Sequence, residues 1–460
     1  MLGLSLVGMS FIKLFLSFPA IALLLFTGFR LSIASGWLQI RKLPQAFSFL
    51  FKDSTGGFTS VAAVCAIVGG NLGVGNLSGT AVALRTGGPG FIVWMTLIIV
   101  VTSIIKYTTC YISMSTSEQV DGRVYGGPVV YLQQWTKKHW VALLVTAVTL
   151  VCALTVGNLV QVNSLSISML LVEKPPLFAA IGMALALLYV TTLNAERLSN
   201  VISKVVPGMS IIYLTLVITA LSRFSDGIVP SLKLICENVF SVGSFKDGAF
   251  MAFMAETFAI VQVGALRGVF ATDIGLGLEG TVHAMVKGDK RIGNDFATQQ
   301  SLISLISPFI VAIVTFLTTL VLLTTGAWTD LSLISTNMCF NAFMRAIGTD
   351  YTEYLLILVV FCFSFTTVLT WFICSKEVLS YVSNNNKWLE KLWTAFFILM
   401  IPLGALGTAE LFWDIADISI SISIIINSVG ILMIFGKYKK EIFTATIEKK
   451  SLSRKSWGKR

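Results

Sequence analysis

Long apolar runs separated by short polar stretches organise this chain. A run of about twenty apolar residues is long enough to cross a bilayer as a helix. The pattern predicts eleven such spans, near residues 11–35, 59–86, 90–115, 140–171, 176–193, 201–222, 248–285, 298–327, 351–380, 388–407 and 411–436. We therefore predict an all-α integral membrane protein with about eleven transmembrane helices.

Two of the predicted spans are interrupted by glycine. The second span has four glycines within seven residues and the seventh span has four more: Gly69, Gly70, Gly73, Gly75, Gly264, Gly268, Gly275 and Gly277. Glycine destabilises a helix by about 1 kcal/mol relative to alanine, so these clusters predict unwound segments. The alternative is that the small residues pack closely against neighbouring helices. Unwound backbone is tolerated at bilayer depth only inside protein or at a cavity, so the two breaks predict a binding site.

The two broken spans also predict an inverted repeat. Spans two to six cover residues 59–222 and spans seven to eleven cover residues 248–436, and each set of five opens with a broken helix. Because five is odd, the second set enters the membrane from the opposite side, as in many secondary transporters. Residues 1–58 add one helix and an amphipathic link suited to a membrane surface. Residues 437–460 form a basic tail suited to anionic lipid.

The positions of Lys and Arg predict the orientation. With the N-terminus outside, the inner loops and the tail hold 23 of them and the outer loops hold five. Because cytoplasmic loops are enriched in positive charge, we predict a multi-pass plasma-membrane protein of the bacterial inner-membrane type, with the C-terminus in the cytoplasm. The net charge of +10 lies mainly in these loops and the tail, so no nucleic-acid partner is predicted. Only 12% of the residues are charged, against about 25% in soluble proteins.

The sequence shows no motif for an ATP-driven or redox mechanism. It has no P-loop, no dinucleotide fingerprint and no metal-ligand cluster, so neither an enzyme nor an organic cofactor is predicted. The seven cysteines show no CxxC spacing. A disulfide between Cys236 and Cys339, in loops predicted on the same outer face, stays open.

Several motifs resemble those of the alanine or glycine:cation symporter family. They follow one another along nearly the whole chain: GVGNLSGTAVALRTGGPGFIVWM (73–95), GNLVQVNS (157–164), LRGVFATDIGLG (266–277), FTTVLTW (365–371) and LFWDIADI (411–418). The resemblance implies the fold of the leucine-type sodium symporters. It also implies import of a small neutral amino acid, alanine or glycine, with sodium as the coupling ion. The chain departs from the family pattern at Val74, where the family has Thr, and at Ala271–Asp273.

The breaks and the resemblance together predict a substrate site. Amides near the second half of the first broken span can hold the substrate carboxylate, because a half-helix N-terminus attracts anions. Carbonyls near the second break can accept from the ammonium group. Gln161 is predicted to contact substrate, and Trp371 to close the pocket, although both side chains also suit packing between helices. The predicted set is Val74, Gly75, Asn76, Gln161, Phe270, Ala271 and Trp371.

A sodium site is predicted beside the first break. Carbonyls freed by unwinding, at Gly69 and Leu72, and the hydroxyls of Thr366 and Thr367 are the hard oxygen ligands that sodium prefers. They resemble an ion site that the wider fold preserves. The alternative for each threonine is a hydrogen bond to the carbonyl four residues earlier in its own helix.

Charged residues within the spans leave further alternatives. Arg267 and Asp273 flank the second break and are predicted to pair. Lys106 and Glu256 are predicted nearer a membrane interface. Proton coupling through Asp273 or Glu256 with another small substrate is a second hypothesis, and a transporter-like amino-acid sensor is a third. The short tail, without room for a signalling domain, weighs against the sensor.

Overall fold

The molecule is built almost wholly of helices. The computed structural model describes residues 2–50, 59–193, 195–240, 250–286, 294–333, 335–348 and 350–455. The helices are α1 (Leu2–Ser35), α2 (Leu38–Arg41), α3 (Leu43–Leu50), α4 (Ser60–Asn71), α5 (Ser78–Gly87), α6 (Phe91–Ser115), α7 (Pro128–Thr136), α8 (His139–Leu154), α9 (Val160–Leu171), α10 (Pro176–Thr191), α11 (Ala195–Arg223), α12 (Ile228–Glu237), α13 (Phe250–Thr272), α14 (Leu278–Ala284), α15 (Asn294–Ser304), α16 (Ile306–Thr324), α17 (Thr336–Ile347), α18 (Asp350–Val382), α19 (Lys387–Gly404) and α20 (Ala409–Lys455).

The apolar spans of the sequence fall on these helices. Within the described residues, seven helices are long and apolar enough to cross a membrane, and the bent pair α4–α5 makes an eighth. Helix α10 is apolar but has only 16 residues. The chain is therefore a multi-pass membrane protein, while the count of eleven spans and their division into two repeats stay predictions.

The first predicted break lies between α4 and α5. The two helices meet at an angle of 52°, and the 3₁₀ turn Val74–Asn76 joins them. Gly69 and Gly70 remain helical. A methyl group on Gly69 would lie 2.7 Å from Val206, and one on Gly70 would lie 3.0 Å from Thr370. The break and the close packing, which the sequence analysis treated as alternatives, therefore occur together.

The second break follows α13 and is made by left-handed backbone. Asp273, Gly275 and Gly277 have φ angles of 53°, 88° and 86°, which end α13 and redirect the chain into α14. The two earlier glycines of this span serve packing instead. A methyl group on Gly264 would lie 2.9 Å from the backbone nitrogen of Met95 in α6. Only the last two of the four glycines thus take part in the break.

A short β hairpin departs from the predicted all-α class. Strands β1 (Glu118–Val120) and β2 (Arg123–Tyr125) pair antiparallel between α6 and α7. Asp121 and Gly122 at the turn both have positive φ, as a two-residue hairpin turn requires. The hairpin is fastened to the start of α19, because Arg123 forms an ion pair with Glu390 at 3.1 Å.

Helix packing surrounds the two breaks. Helix α4 packs against α11 and α18, and α6 packs against α13, α14, α15 and α16. The additional N-terminal helix α1 packs against α20 and α6. The disulfide between Cys236 and Cys339, which the sequence left open, does not form: Cys236 is exposed, Cys339 is buried, and both are free. Residues 51–58 of the predicted amphipathic link and residues 456–460 of the basic tail lie outside the described residues.

We predict that Cys236 reports the orientation of the chain. It is an exposed cysteine in α12, a helix predicted to lie outside the cell. An impermeant maleimide added to intact cells should label the protein, and Cys236→Ser should abolish that label. Adding Ser451→Cys to the Cys236→Ser variant should restore labelling only after the cells are permeabilised. Labelling of Ser451→Cys in intact cells would reverse the predicted topology.

Candidate functional site

The unwound segment between α4 and α5 lies at the centre of the candidate site. The Val74 N–H donates to the side-chain carbonyl of Gln161 at 3.1 Å, and the Gln161 amide donates to the Val156 carbonyl at 3.0 Å. In a continuous helix the Val74 N–H would bond to the carbonyl of Gly70. Its bond to Gln161 therefore removes the helical partner of the Gly70 carbonyl.

Helix α18 brings two hydroxyl groups to the released carbonyls. Thr366 Oγ1 lies 2.9 Å from the Gly69 carbonyl oxygen. Thr367 Oγ1 lies 3.2 Å from the Gly69 oxygen and 3.0 Å from the Gly70 oxygen. Both hydroxyls also lie within hydrogen-bond distance of carbonyls in the preceding turn of α18. Each hydroxyl has one proton, so the acceptor oxygens outnumber the donors, and the cluster suits a cation.

The structure brings together most of the predicted sodium ligands. Gly69, Thr366 and Thr367 lie together, and Gly70 joins them although the sequence analysis did not name it. The hydroxyls of α18 reach the carbonyls of Gly69 and Gly70 rather than that of Leu72. Both hydroxyls also bond to carbonyls of their own helix, which is the alternative that the sequence left open, while their role as sodium ligands stays a prediction.

The Asn76 side chain holds the break together. Its Nδ2 donates to the carbonyl of Asn71 at 2.6 Å, and its Oδ1 accepts from the Thr315 hydroxyl at 2.6 Å. The Asn76 backbone N–H donates to the Gly73 carbonyl at 3.2 Å. In this conformation the amides of both Val74 and Asn76 are therefore already bonded, so a substrate carboxylate would have to exchange with a protein acceptor.

The two breaks meet at Gly75. A methyl group on Gly75 would lie 2.8 Å from the ring of Phe270 and 3.7 Å from Cα of Ala271. The Phe270 ring packs on Trp413 with centroids 4.5 Å apart, and the Arg267 guanidinium lies 4.6 Å from the Trp413 centroid. Phe270 and Ala271 are buried in the last turn of α13, where a helix leaves its carbonyls without helical partners.

Trp371 lies against a π-helical turn in the fourth span. The turn covers Thr155–Leu159, and the absence of a side chain at Gly157 makes room for the indole. Trp371 is 1% exposed, and its indole N–H has no hydrogen-bond partner. One turn earlier in α18 is Thr367, so this unpaired donor belongs to the site region. Asn158 instead bonds between helices, donating to the Phe397 carbonyl at 2.8 Å.

The predicted pair between Arg267 and Asp273 is wrong. Arg267 forms an ion pair with Asp417 at 2.6 Å. Lys13 of the additional helix contacts Asp417 at 3.0 Å and Asp414 at 2.8 Å. The described residues show no ion pair between Arg267 and Asp273, whose left-handed backbone begins the break. The four-charge network therefore joins α1, α13 and α20, beside the aromatic pair that covers Gly75.

Lys106 and Glu256, which were both predicted near a membrane interface, differ in burial. Glu256 is exposed on α13. Lys106 is fully buried, and its ammonium donates to the Ser307 hydroxyl at 3.2 Å. The same hydroxyl lies 3.3 Å from Nδ2 of Asn71 at the end of α4. The prediction for Lys106 is wrong, since this cation lies inside the protein next to the first break.

A polar seam closes the opposite side of the site. Gln300 donates to the Ser60 hydroxyl at 2.8 Å and lies 2.9 Å from Nδ1 of His283. All three side chains are buried, and they join α4, α14 and α15. Val74, Gln161 and the other candidate side chains are buried as well, so none of them is exposed to solvent in this conformation.

Comparison with known proteins gives consistent matches over most of the chain. The family model described as "Sodium:alanine symporter family" matches residues 6–456. An uncharacterised transporter of Haemophilus influenzae is 29% identical over 87% of both chains. The sodium/alanine symporter AgcS of Methanococcus maripaludis is 27% identical, covering 90% of this chain and 91% of its own. The putative sodium/proton-dependent alanine carrier YrbD of Bacillus subtilis is 24% identical, over 91% and 87%.

A solved structure shares the fold. A point mutant of the Eremococcus coleocola manganese transporter superposes with a TM-score of 0.51, covering 83% of this chain and 79% of that one. The sequences are only 11% identical, so the likeness concerns the arrangement of helices and not the ligand.

We predict that Gly73→Ala abolishes function without unfolding the protein. The new methyl group would lie 2.5 Å from Thr367 Oγ1 and 2.9 Å from Gln161 Oε1, so both site groups must move. The matched control is Gly208→Ala, whose methyl group meets no atom within 4 Å. Binding of labelled alanine should be lost in the first variant and kept in the second, at equal membrane levels. Normal binding by Gly73→Ala would remove this segment from the site.

Proposed function

Because the chain belongs to the sodium:alanine symporter family, we propose that it carries a small neutral amino acid, alanine or glycine, into the cell together with sodium. The chain is a transporter and not an enzyme. Its proposed location is the plasma membrane with the C-terminus in the cytoplasm. The observation that carries the proposal is the cluster of hydroxyl and carbonyl oxygens between α4 and α18.

The cluster supports sodium because it contains more acceptor oxygens than hydroxyl protons. The carbonyls of Gly69 and Gly70 face the hydroxyls of Thr366 and Thr367 at 2.9 to 3.2 Å. A hard cation satisfies several oxygens at once, which two hydroxyl protons do not. When sodium enters, each hydroxyl can turn its proton toward the preceding turn of α18 and present a lone pair to the ion.

The substrate is proposed to bind on the other side of the same segment. Its carboxylate would take the amides of Val74 and Gly75 after the Gln161 side chain releases Val74. Its ammonium would face the carbonyls of Phe270 and Ala271. Phe270 lies against Gly75 and Trp371 against Gly157, so two bulky aromatic side chains would border the substrate side chain. This arrangement favours alanine and glycine over larger neutral amino acids.

Sodium and substrate are proposed to bind the same unwound segment, and this shared segment would couple their binding. Gly69 and Gly70 offer oxygens to sodium, and three to five residues later Val74 and Gly75 offer amides to substrate. An ion that fixes the carbonyls also fixes the orientation of the following amides. Sodium therefore pre-organises the substrate site, which lowers the free energy that binding must spend on ordering.

Alternating access requires each side of the buried site to open in turn. The ionic network of Lys13, Arg267 and Asp417 with the Phe270–Trp413 pair lies on the predicted outer side. The seam of Ser60, His283 and Gln300 lies on the predicted inner side. Opening the first network admits substrate and sodium, and opening the seam releases them.

Uptake by proteoliposomes tests the proposal. Purified protein should accumulate labelled alanine or glycine only when a sodium gradient points inward, and excess unlabelled substrate should block the signal. Potassium at the same concentration serves as the control. Accumulation that follows a pH gradient and ignores sodium would refute sodium coupling.

Removing one hydroxyl should weaken sodium binding. Thr366→Val and Thr367→Val keep the side-chain shape and delete a ligand oxygen, a loss of about 1.5–3 kcal/mol or about tenfold to a hundredfold in sodium affinity. The control is Thr146→Val, a buried threonine that bonds the Ala142 carbonyl of its own helix at 2.8 Å. The measurement is initial uptake against sodium concentration at constant ionic strength. Unchanged sodium dependence in both variants and their double mutant would reject the site.

A further inference from the structure

A pocket lies between α1 and α20, the first and last long helices of the chain. Its volume is about 330 Å³, which is within the usual range for small-molecule sites, about 300–1,000 Å³. It is lined by Arg30, Ile33 and Ala34 of α1 and by Phe435 and Gly436 of α20. Ile33 and Gly436 are exposed, so the pocket opens on the surface of the helix bundle. The proposed sodium and substrate sites use none of these residues.

Arg30 gives this pocket a positive charge. The residue is exposed, and within the described part of the chain its guanidinium forms no ion pair or hydrogen bond with another group. Two neighbouring cations are engaged elsewhere. Arg41 donates to the Ser35 carbonyl at 2.8 Å, and the Lys437 ammonium lies 5.5 Å from the ring centroid of Trp135. Arg30 is therefore the cation of this region that is available to an external anion.

The position of the pocket along the helices matches the border of the bilayer. Helices α1 and α20 pack against each other, and Lys13 pairs with Asp414 and Asp417 on the predicted outer side. Arg30 follows Lys13 by about 26 Å along α1, and Gly436 follows Asp417 by about 29 Å along α20, at the helical rise per residue. The hydrocarbon core of a bilayer is about 30 Å thick. The pocket thus lies at the inner border, where lipid phosphate groups are found.

Exposed apolar side chains lead from the pocket toward the bilayer centre on both helices. On α1, Phe26 lies one turn before Arg30 and is exposed. On α20, Val429 and Met433 are exposed and share a helix face with Gly436, because residues three and four apart are neighbours on a helix. A methyl group on Gly436 would meet no atom within 4 Å. The pocket therefore joins a cationic group to an apolar surface, the two features that a lipid headgroup and its acyl chain need.

We infer that this pocket binds the headgroup of an anionic phospholipid of the inner leaflet. The planar guanidinium of Arg30 donates two parallel hydrogen bonds to the phosphate, and the acyl chains lie on the exposed faces of α1 and α20. Lys437, Lys439 and Lys440 follow the pocket in the sequence and attract anionic lipid toward it. The lipid holds the inner ends of α1 and α20 together, as the ion pairs of Lys13 hold their outer ends.

The charge and the apolar surface both favour this ligand over its alternatives. A zwitterionic lipid carries a cation in its headgroup, which offsets the attraction of its phosphate to Arg30. A soluble phosphate compound matches the guanidinium but gains nothing from the apolar faces of the two helices. The inference goes beyond the proposed function and does not depend on which solute or coupling ion the chain carries.

Native mass spectrometry of the full chain, purified in detergent, tests the inference. Phosphatidylglycerol and phosphatidylcholine with the same acyl chains are titrated separately, and the dissociation constant of the first bound lipid is measured. The wild type should bind phosphatidylglycerol about tenfold more tightly than phosphatidylcholine. Arg30→Gln removes the charge, and Gly436→Leu fills the pocket while keeping every charge. Each should weaken phosphatidylglycerol binding about tenfold or more, as expected for the loss of a hydrogen-bonded charge contact.

Two matched controls separate the pocket from the rest of the surface. Lys391→Gln removes another exposed cation, near the start of α19, and Gly208→Leu adds the same side chain at a glycine whose methyl group would also meet no atom within 4 Å. Both should bind phosphatidylglycerol as the wild type does. The basic tail is present in all variants, so its contribution to lipid binding is common to them.

Three outcomes would overturn the inference. The first is equal affinity of the wild type for phosphatidylglycerol and phosphatidylcholine, a comparison that needs no variant to fold. The second is unchanged phosphatidylglycerol affinity in both Arg30→Gln and Gly436→Leu. The third is binding of soluble glycerol phosphate to the wild type as tight as that of phosphatidylglycerol, which would make the pocket a site for a soluble anion. A failure of sodium-driven alanine uptake would refute the proposed function and leave this inference standing.

Discussion

Backbone hydrogen bonding at bilayer depth is the constraint on which this structure depends. Ending α4 at Asn71 frees carbonyls and amides where no water is present to bond them, and each unsatisfied group is costly. Side chains from two other helices and from the break itself meet the need: Gln161 of α9 takes the Val74 amide, and Thr367 of α18 and Asn76 bond to nearby carbonyls. These partners hold the break in one shape, and the oxygens that remain in excess form the proposed ion site.

Buried polar and charged contacts are the second constraint. They attach the two halves of the second broken helix to different neighbours. The outer half, α13, is tied to α1 and α20 through Arg267 and Asp417. The inner half, α14, is tied to α6, where the Ser113 hydroxyl donates to the Gly280 carbonyl at 2.7 Å. Both halves pack against α6, but their polar attachments differ, and the left-handed residues Asp273, Gly275 and Gly277 join them.

Local sequence patterns predicted the helices and both breaks, because apolar runs and glycine clusters determine whether the backbone forms a helix at the same place in the chain. The threonine cluster also followed from sequence, since the family motif links Thr366 and Thr367 to the first break. The pairing of Arg267 did not, because its partner Asp417 lies 150 residues away and Asp273 seemed nearer. The contact of Lys106 with Ser307, 201 residues away, was missed for the same reason. The only signal in the sequence was a charged residue inside an apolar span. Such a residue indicates a position within the membrane but does not identify the group that it contacts.

The central claim is that sodium and substrate share one unwound segment and therefore help each other bind. Calorimetric titration of purified protein tests it directly: alanine is titrated at several sodium concentrations, and sodium at several alanine concentrations. Linkage requires the factor by which sodium tightens alanine binding to equal the factor by which alanine tightens sodium binding. We expect both factors to exceed one and to agree. An alanine affinity that is the same with and without sodium would contradict the account.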